Sequence, residues 1–174
     1  MAFVSIPVGS AGVPIVMQNA VIILAGLVLG GRRGFLTAAL FLLLGLVGLP
    51  VLAGGRSVLP ALAGPTVGYI VGYLISPLVA GLIAYRSPRG KVGMTITLAI
   101  AGFVGLLIQY TLGAIGLMVR SGLDAKAAAA AQLPFIPTDS IKVAVAVIIA
   151  LAVHAAFPDL MGRLGKKRKP ATGA

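Results

Sequence analysis

Five apolar runs, separated by short stretches rich in Gly, Pro and Arg, set the pattern of this chain. They cover approximately residues 15–30, 35–52, 66–85, 93–118 and 140–157. Most are near the ~20 residues that carry an α-helix across a bilayer. The pattern predicts an all-α fold, a polytopic membrane helix bundle, with residues 1–174 forming a single transmembrane domain. Small residues recur inside two of the runs. Gly64, Gly68, Gly72 and Ser76 fall at four-residue spacing in the third, and Gly102, Gly105, Gln109, Gly113 and Gly116 share one face of the fourth. Such stripes let neighbouring helices approach closely in a membrane. Between the runs the expected connections are a tight basic loop at 30–34, a Gly-rich turn at 53–57 leading into an apolar loop, and a second basic loop at 86–91. A longer segment follows at 120–133, where Asp124 is placed to cap a short alanine helix.

Composition agrees with this pattern. The chain is 59% hydrophobic and 10% charged, with a net charge of +11. Soluble domains carry roughly 25% charged residues, so these charges are too few to cover a water-facing surface. The positive charge does not form a nucleic-acid groove. Arg32, Arg33, Arg86, Arg89, Lys91, Arg163, Lys166, Lys167, Arg168 and Lys169 all lie between or after apolar runs, as cytoplasmic loops do under the positive-inside rule. The loops at 30–34 and 86–91 and the basic tail at 163–174 are therefore expected in the cytoplasm. The segments at 53–57 and 120–137 are expected outside. The chain is then multi-pass in the cell membrane with a cytoplasmic C-terminus. Five spans put the N-terminus outside. Residues 1–14 have no charged n-region or long apolar core, so they are not a signal peptide. The odd count predicts a further apolar span ahead of Met1.

Several chemistries are excluded. There is no cysteine and one histidine, which leaves no thiolate or poly-histidine metal site within one chain. The glycines and arginines at 30–34 lack the lysine followed by Ser or Thr of a phosphate-binding loop, and no Ser-His-Asp or metalloprotease spacing is present.

The candidate chemistry sits at 134–142. Two prolines, Pro134 and Pro137, break the chain, and Asp139 and Lys142 follow three residues apart, on one face of the first turn of the last span. Three carboxylate side chains occur in the whole chain, Asp124, Asp139 and Asp159. Asp139 suits two roles: a cap, shared with Thr138, on a helix start, or a ligand-binding group paired with Lys142. Arg56 can clamp a carboxylate with its guanidinium fork or be a solvated loop charge. Gln18 and Asn19 can bind a polar ligand or bond helix to helix. Tyr69 and Tyr73 suit either an interfacial belt or a pocket wall. His154, deep in the last run, is a functional suspect or a satisfied side chain near the cytoplasmic end.

At this point the residues resemble a family. Gly48-Leu49-Pro50-Val51, Ala53-Gly54-Gly55, Gly64-Pro65-Thr66, Gly68-Tyr69 and Gly72-Tyr73 are similar to the BioY family, the biotin-specific substrate-binding subunits of energy-coupling-factor transporters. Val13-Pro14-Ile15-Val16-Met17-Gln18, Leu24-Ala25-Gly26 and Arg33-Gly34 resemble its second-helix pattern. Leu133-Pro134-Phe135-Ile136-Pro137 with Asp139 and Lys142 resembles its last-helix motif. Val16 stands where the family usually has threonine, and Thr138 where it usually has glycine. The resemblance implies a high-affinity biotin binder with its site on the outer side and no enzymatic activity. It needs no cofactor, with biotin as the transported ligand. Its implied partners are membrane lipid, a transmembrane coupling subunit and ATPase subunits. The ligand-binding candidates are Asp139, Lys142, Arg56, Gln18, Tyr69 and Thr66, with no catalytic or metal residue. The resemblance also implies a first helix that this sequence lacks. Two other functions remain open: a stand-alone secondary transporter of biotin or a similar small carboxylate, with Asp139 or His154 carrying protons, and a membrane scaffold assembled through the glycine stripes.

Overall fold

The computed structural model describes residues 5–8, 13–88 and 90–161. Two short strands come first, β1 (Ser5–Val8) and β2 (Val13–Val16), paired antiparallel with Ser5 opposite Val16. Helices make up the rest: α1 (Gln18–Leu29), α2 (Gly31–Leu46), α3 (Val58–Ala63), α4 (Val67–Ala84), α5 (Lys91–Ser121), α6 (Ala125–Ala130) and α7 (Ile136–Ala156). Single 3-10 turns at Leu133–Phe135 and Pro158–Met161 flank α7. The expected helix bundle is thus the architecture found. Among the described residues, three helical stretches are long and apolar enough to cross a membrane: Val67–Ala84, Lys91–Ser121 and Ala125–Ala156.

Helix α4 packs against α1, α2 and α5, while α7 packs against α1 and α5. One core cluster joins α1, α4, α5 and α7 through Ile23, Leu27, Ala80, Leu98, Val143 and Val147. A second joins α1, α2, α3 and α4 through Ile22, Leu42, Val58 and Ile70. Large apolar side chains such as Leu36, Leu40, Leu107, Ile141 and Ile148 point outward. On a soluble protein such a surface would be a liability; facing lipid, it is the expected exterior.

The small residues position these helices. At Gly30 (φ 84°) the chain leaves α1 and enters α2 with no intervening loop, a conformation that costs glycine little. The two helices then fold back so tightly that a Cβ on Gly34 would lie 2.7 Å from the Gly26 Cα. Gly68 faces Gly116 across the α4–α5 contact, and Gly72 faces Gln109. Both stripes pack as the spacing predicts, except that Gly64 meets only the backbone of Pro60 and Ala61.

Several element boundaries differ from expectation. The first helix starts at Gln18 rather than near 15, because Val13–Val16 is extended. The supposed basic loop at 30–34 is a one-residue break, so Arg32 and Arg33 occupy the first turn of α2. That helix ends at Leu46, not 52, and α5 runs on to Ser121. The apolar loop after Ser57 contains α3. The alanine helix forms where expected, and the Asp124 carboxylate accepts from the Ala127 N–H at 2.6 Å. Arg89 and the basic tail at 163–174 lie outside the described residues.

Candidate functional site

At one end of the bundle α1, α4 and α7 all begin, and their first turns line a common cavity with the middle of α5. The cavity is partly open to solvent and sets a few polar groups in an apolar wall, as small-molecule sites do. Leu52, Ala61, Ile70 and Phe135 supply apolar wall. Three helix N-termini around one cavity give it a positive bias, which suits an anion in or near it.

Asp139 is 5% exposed. Its Oδ1 accepts from Lys142 Nζ at 2.8 Å and its Oδ2 from the Tyr110 hydroxyl at 2.9 Å. The helix begins at Ile136, so Asp139 stands past the first turn's cap position. The cap residue is Phe135, with no side-chain cap bond. Pro137 is tolerated in the first turn, where a missing N–H costs nothing. The capping role open to Asp139 and Thr138 in the sequence is therefore not the one found. A buried carboxylate and ammonium are tolerable when mutually paired and further hydrogen-bonded. An ionised carboxylate has about four acceptor sites. Lys142 and Tyr110 fill one on each oxygen, which leaves Asp139 able to accept from a ligand.

The remaining candidates assemble around this pair. Gln18, Arg56, Thr66 and Tyr69 line the cavity with Asp139, while Lys142 is paired to Asp139 from the same helix face. Gln18 Nε2 donates to the Val51 carbonyl at 3.0 Å, tying α1 to the loop that follows α2. That loop closes between Leu52 and Arg56, where Gly54 (φ 71°) and Gly55 (φ 70°) take left-handed conformations. Arg56 Nε donates to Ala53 O at 3.3 Å. This fixes an exposed guanidinium at the cavity rim. Thr66 precedes α4 without a side-chain cap bond, and Tyr69 donates its hydroxyl to Gln132 Oε1. Gly113 makes room for that ring: a Cβ there would sit 2.8 Å from Tyr69 Cδ1. Tyr73 is buried in the cavity wall rather than placed in an interfacial belt.

Sequence reasoning missed Tyr110 and Gln132. A tyrosine in mid-span is a usable signal, because its buried hydroxyl needs a partner. Gln132 sits in a short connection with nothing to distinguish it, and only the fold brings it to Tyr69. His154 belongs to the opposite end. Its Nε2 lies 2.9 Å from the Leu27 carbonyl, and the Tyr85 hydroxyl donates to Val28 O at 2.7 Å. Both satisfy carbonyls left over at the C-terminus of α1, so His154 is a structural donor far from the cavity.

A family model described as the BioY family matches residues 1–159. The biotin transporter BioY of Rhodobacter capsulatus is 40% identical over 166 residues, covering 90% of this chain and 86% of the relative. That of Rhizobium etli is 36% identical over 162 residues, covering 91% and 87%. A probable biotin transporter BioY of Pyrococcus horikoshii is 40% identical over 149 residues, covering 86% and 84%. Among solved structures, the S-component for biotin from an ECF-type ABC transporter superposes with a TM-score of 0.78 at 31% identity, covering 88% of this chain and 82% of that one.

Proposed function

The chain belongs to the BioY family, and from that premise we propose that it is the biotin-binding membrane subunit of an ATP-driven vitamin importer. One observation carries the reading: a buried Asp139–Lys142 pair, steadied by Tyr110, opens on an apolar-walled cavity with acceptor sites to spare. Biotin presents two ureido N–H donors, a ureido carbonyl, an apolar bicycle and tail, and a carboxylate. Asp139 accepts from the ureido N–H side of the ring in charge-assisted hydrogen bonding. Lys142 balances the charge on Asp139. Ile70 and Phe135 line the apolar body, and Gln18, Thr66 and Tyr69 complete the polar wall. The biotin carboxylate meets Arg56 at the rim, where the helix N-termini add to the attraction.

The cavity faces outward and the basic tail lies in the cytoplasm. This orientation rests on the placement of Arg and Lys. A transmembrane coupling subunit and separate ATPase subunits supply the energy, because this sequence carries no phosphate-binding motif of its own. The chain itself binds and passes on its ligand without chemical conversion.

The test is binding of labelled biotin to the purified protein in detergent, beside uptake by cells with and without the coupling and ATPase subunits. Saturable binding and uptake that depends on those subunits are expected. Absence of saturable binding removes the biotin assignment. Uptake that persists without the ATPase subunits favours a secondary transporter instead.

A further inference from the structure

Gln109 is among the most deeply buried polar side chains of the described residues, at 1% exposure, and it lines the cavity from α5. Its Nε2 donates to Ser76 Oγ at 2.9 Å and to the backbone carbonyl of Asn19 at 3.3 Å. Both amide hydrogens are thus committed. A backbone carbonyl can only accept, so the amide cannot be turned over without facing two oxygens toward each other. The backbone is held as firmly, since a Cβ on Gly72 of α4 would lie 3.0 Å from the Gln109 Cα. The carbonyl Oε1 accepts no hydrogen bond among the described residues. The two donor bonds of the amide and the close approach of α4 to its backbone fix the direction of that oxygen. Gln18 also lines the cavity, but one hydrogen bond holds its amide rather than two.

We propose that Gln109 is a specificity-determining residue, with its Oε1 the second acceptor of the site, paired with one ureido N–H while Asp139 takes the other. The proposal rests on the reading of the cavity as a biotin site and deepens it. A cyclic urea offers two N–H donors on opposite sides of one carbonyl. A site with a carboxylate and a fixed amide oxygen accepts both. A ligand that lacks one N–H, or carries an alkyl group there, leaves the Gln109 carbonyl unpaired. A site built to receive a donor rejects the analogue without it more strongly than an apolar wall does.

The experiment compares biotin with its two analogues methylated on one or the other ureido nitrogen, using wild type, Gln109→Met and Ser76→Ala. Methionine keeps the volume and removes the acceptor. Gln109→Met is expected to weaken biotin about three- to tenfold, the range for one neutral hydrogen bond. The preference for biotin over one methylated analogue should shrink by a similar factor, and the preference over the other should not change. A loss shared equally by all three ligands assigns Gln109 to packing alone and overturns the proposal, as does no loss at all. If Gln109→Met does not fold, Ser76→Ala decides. It removes the shorter of the two bonds that hold the amide while keeping the glutamine, so the oxygen is held less firmly and selectivity between the two analogues should narrow; unchanged selectivity overturns the proposal. Wild-type protein that binds no biotin sinks the functional reading and this proposal together, whereas wild-type binding without Gln109-dependent selectivity sinks the proposal alone.

Discussion

Replacing Asp139 by asparagine strikes the centre of the proposed site, and the structure separates its effects on stability and on binding. Asp139 is buried, bonded to Lys142 at 2.8 Å and Tyr110 at 2.9 Å. Asparagine keeps the shape and one acceptor oxygen but strands the Lys142 charge at 8% exposure. Removing one partner of a buried pair costs on the order of 3–5 kcal/mol. Separately, each charge-assisted bond to a ureido N–H is worth roughly 1.5–3 kcal/mol. At about 1.4 kcal/mol per factor of ten, loss of one such bond weakens biotin about 10- to 150-fold. The double variant Asp139→Asn/Lys142→Met removes the stranded charge. Stability should then return to within about 1–2 kcal/mol of wild type, because apolar replacement of a whole buried pair is often neutral. Biotin affinity should stay low. Thermal melting in detergent and labelled-biotin binding on the same preparation supply both readings. If the double variant recovers affinity along with stability, the pair serves the fold alone and the site is wrongly assigned.

Four further outcomes are expected. Arg56→Ala should weaken biotin severalfold and leave a biotin amide almost unaffected in titration calorimetry; equal losses would remove the carboxylate contact. Tyr110→Phe takes away one bond to Asp139, worth about 1.5–3 kcal/mol at a charged acceptor, so affinity should fall by less than the roughly 10- to 150-fold such a bond represents, with the melting temperature lowered in parallel. Gly34→Val should destabilise by about 1–3 kcal/mol or more through overpacking, because the added atoms meet the Gly26 Cα at 2.7 Å; an unchanged melting temperature would discount the close α1–α2 approach. The chain has no cysteine, so single cysteines at Ser57 and Ser87 report orientation cleanly: an impermeant thiol reagent applied to intact cells should label the first and spare the second.

Much of this arrangement could be read along the chain, and what could not has a physical cause. The glycine faces around Gly68, Gly72, Gly105 and Gly116 were visible because helical spacing alone puts those residues together, and close packing follows from their lack of bulk. Asp139 and Lys142 were visible for the same reason, three residues apart on one helix. Their relation to the helix start was not. Pro137 looked like a boundary, yet proline is at home in a first turn, so α7 begins at Ile136 and the carboxylate is carried past the cap position. Gly30 misled in the opposite way. A run of glycines and arginines reads as a loop, but one left-handed residue suffices to turn the chain, and the arginines enter α2. Partnerships across the fold, such as Tyr69 with Gln132 or Gln109 with Ser76, depend on helix rotation and depth, which no local pattern encodes.

The two ends of the bundle use their polar groups differently. At the far end, C-terminal carbonyls of α1 find donors within the protein, from His154 and from Tyr85. The ends of the helices there close on one another, and Ala84, Leu98 and Ala150 fill the space between. At the cavity end the helix N-termini present unmet N–H groups and positive dipoles, and the side chains nearest them are not all spent on internal bonds. Asp139 keeps acceptor sites after Lys142 and Tyr110 are served, Gln109 keeps its carbonyl, and Arg56 is held by its Nε alone among the bonds of its guanidinium. Within the bilayer such groups are tolerable only if something completes them or if each is partly paired in advance. Partial pairing by neighbours fixes their directions before a ligand arrives, so less ordering cost falls on binding. A small molecule with donors at one end, an apolar middle and an anion at the other meets each of these groups in turn, from the Asp139 side to the Arg56 rim. The polarity of the cavity therefore follows the polarity of the proposed ligand.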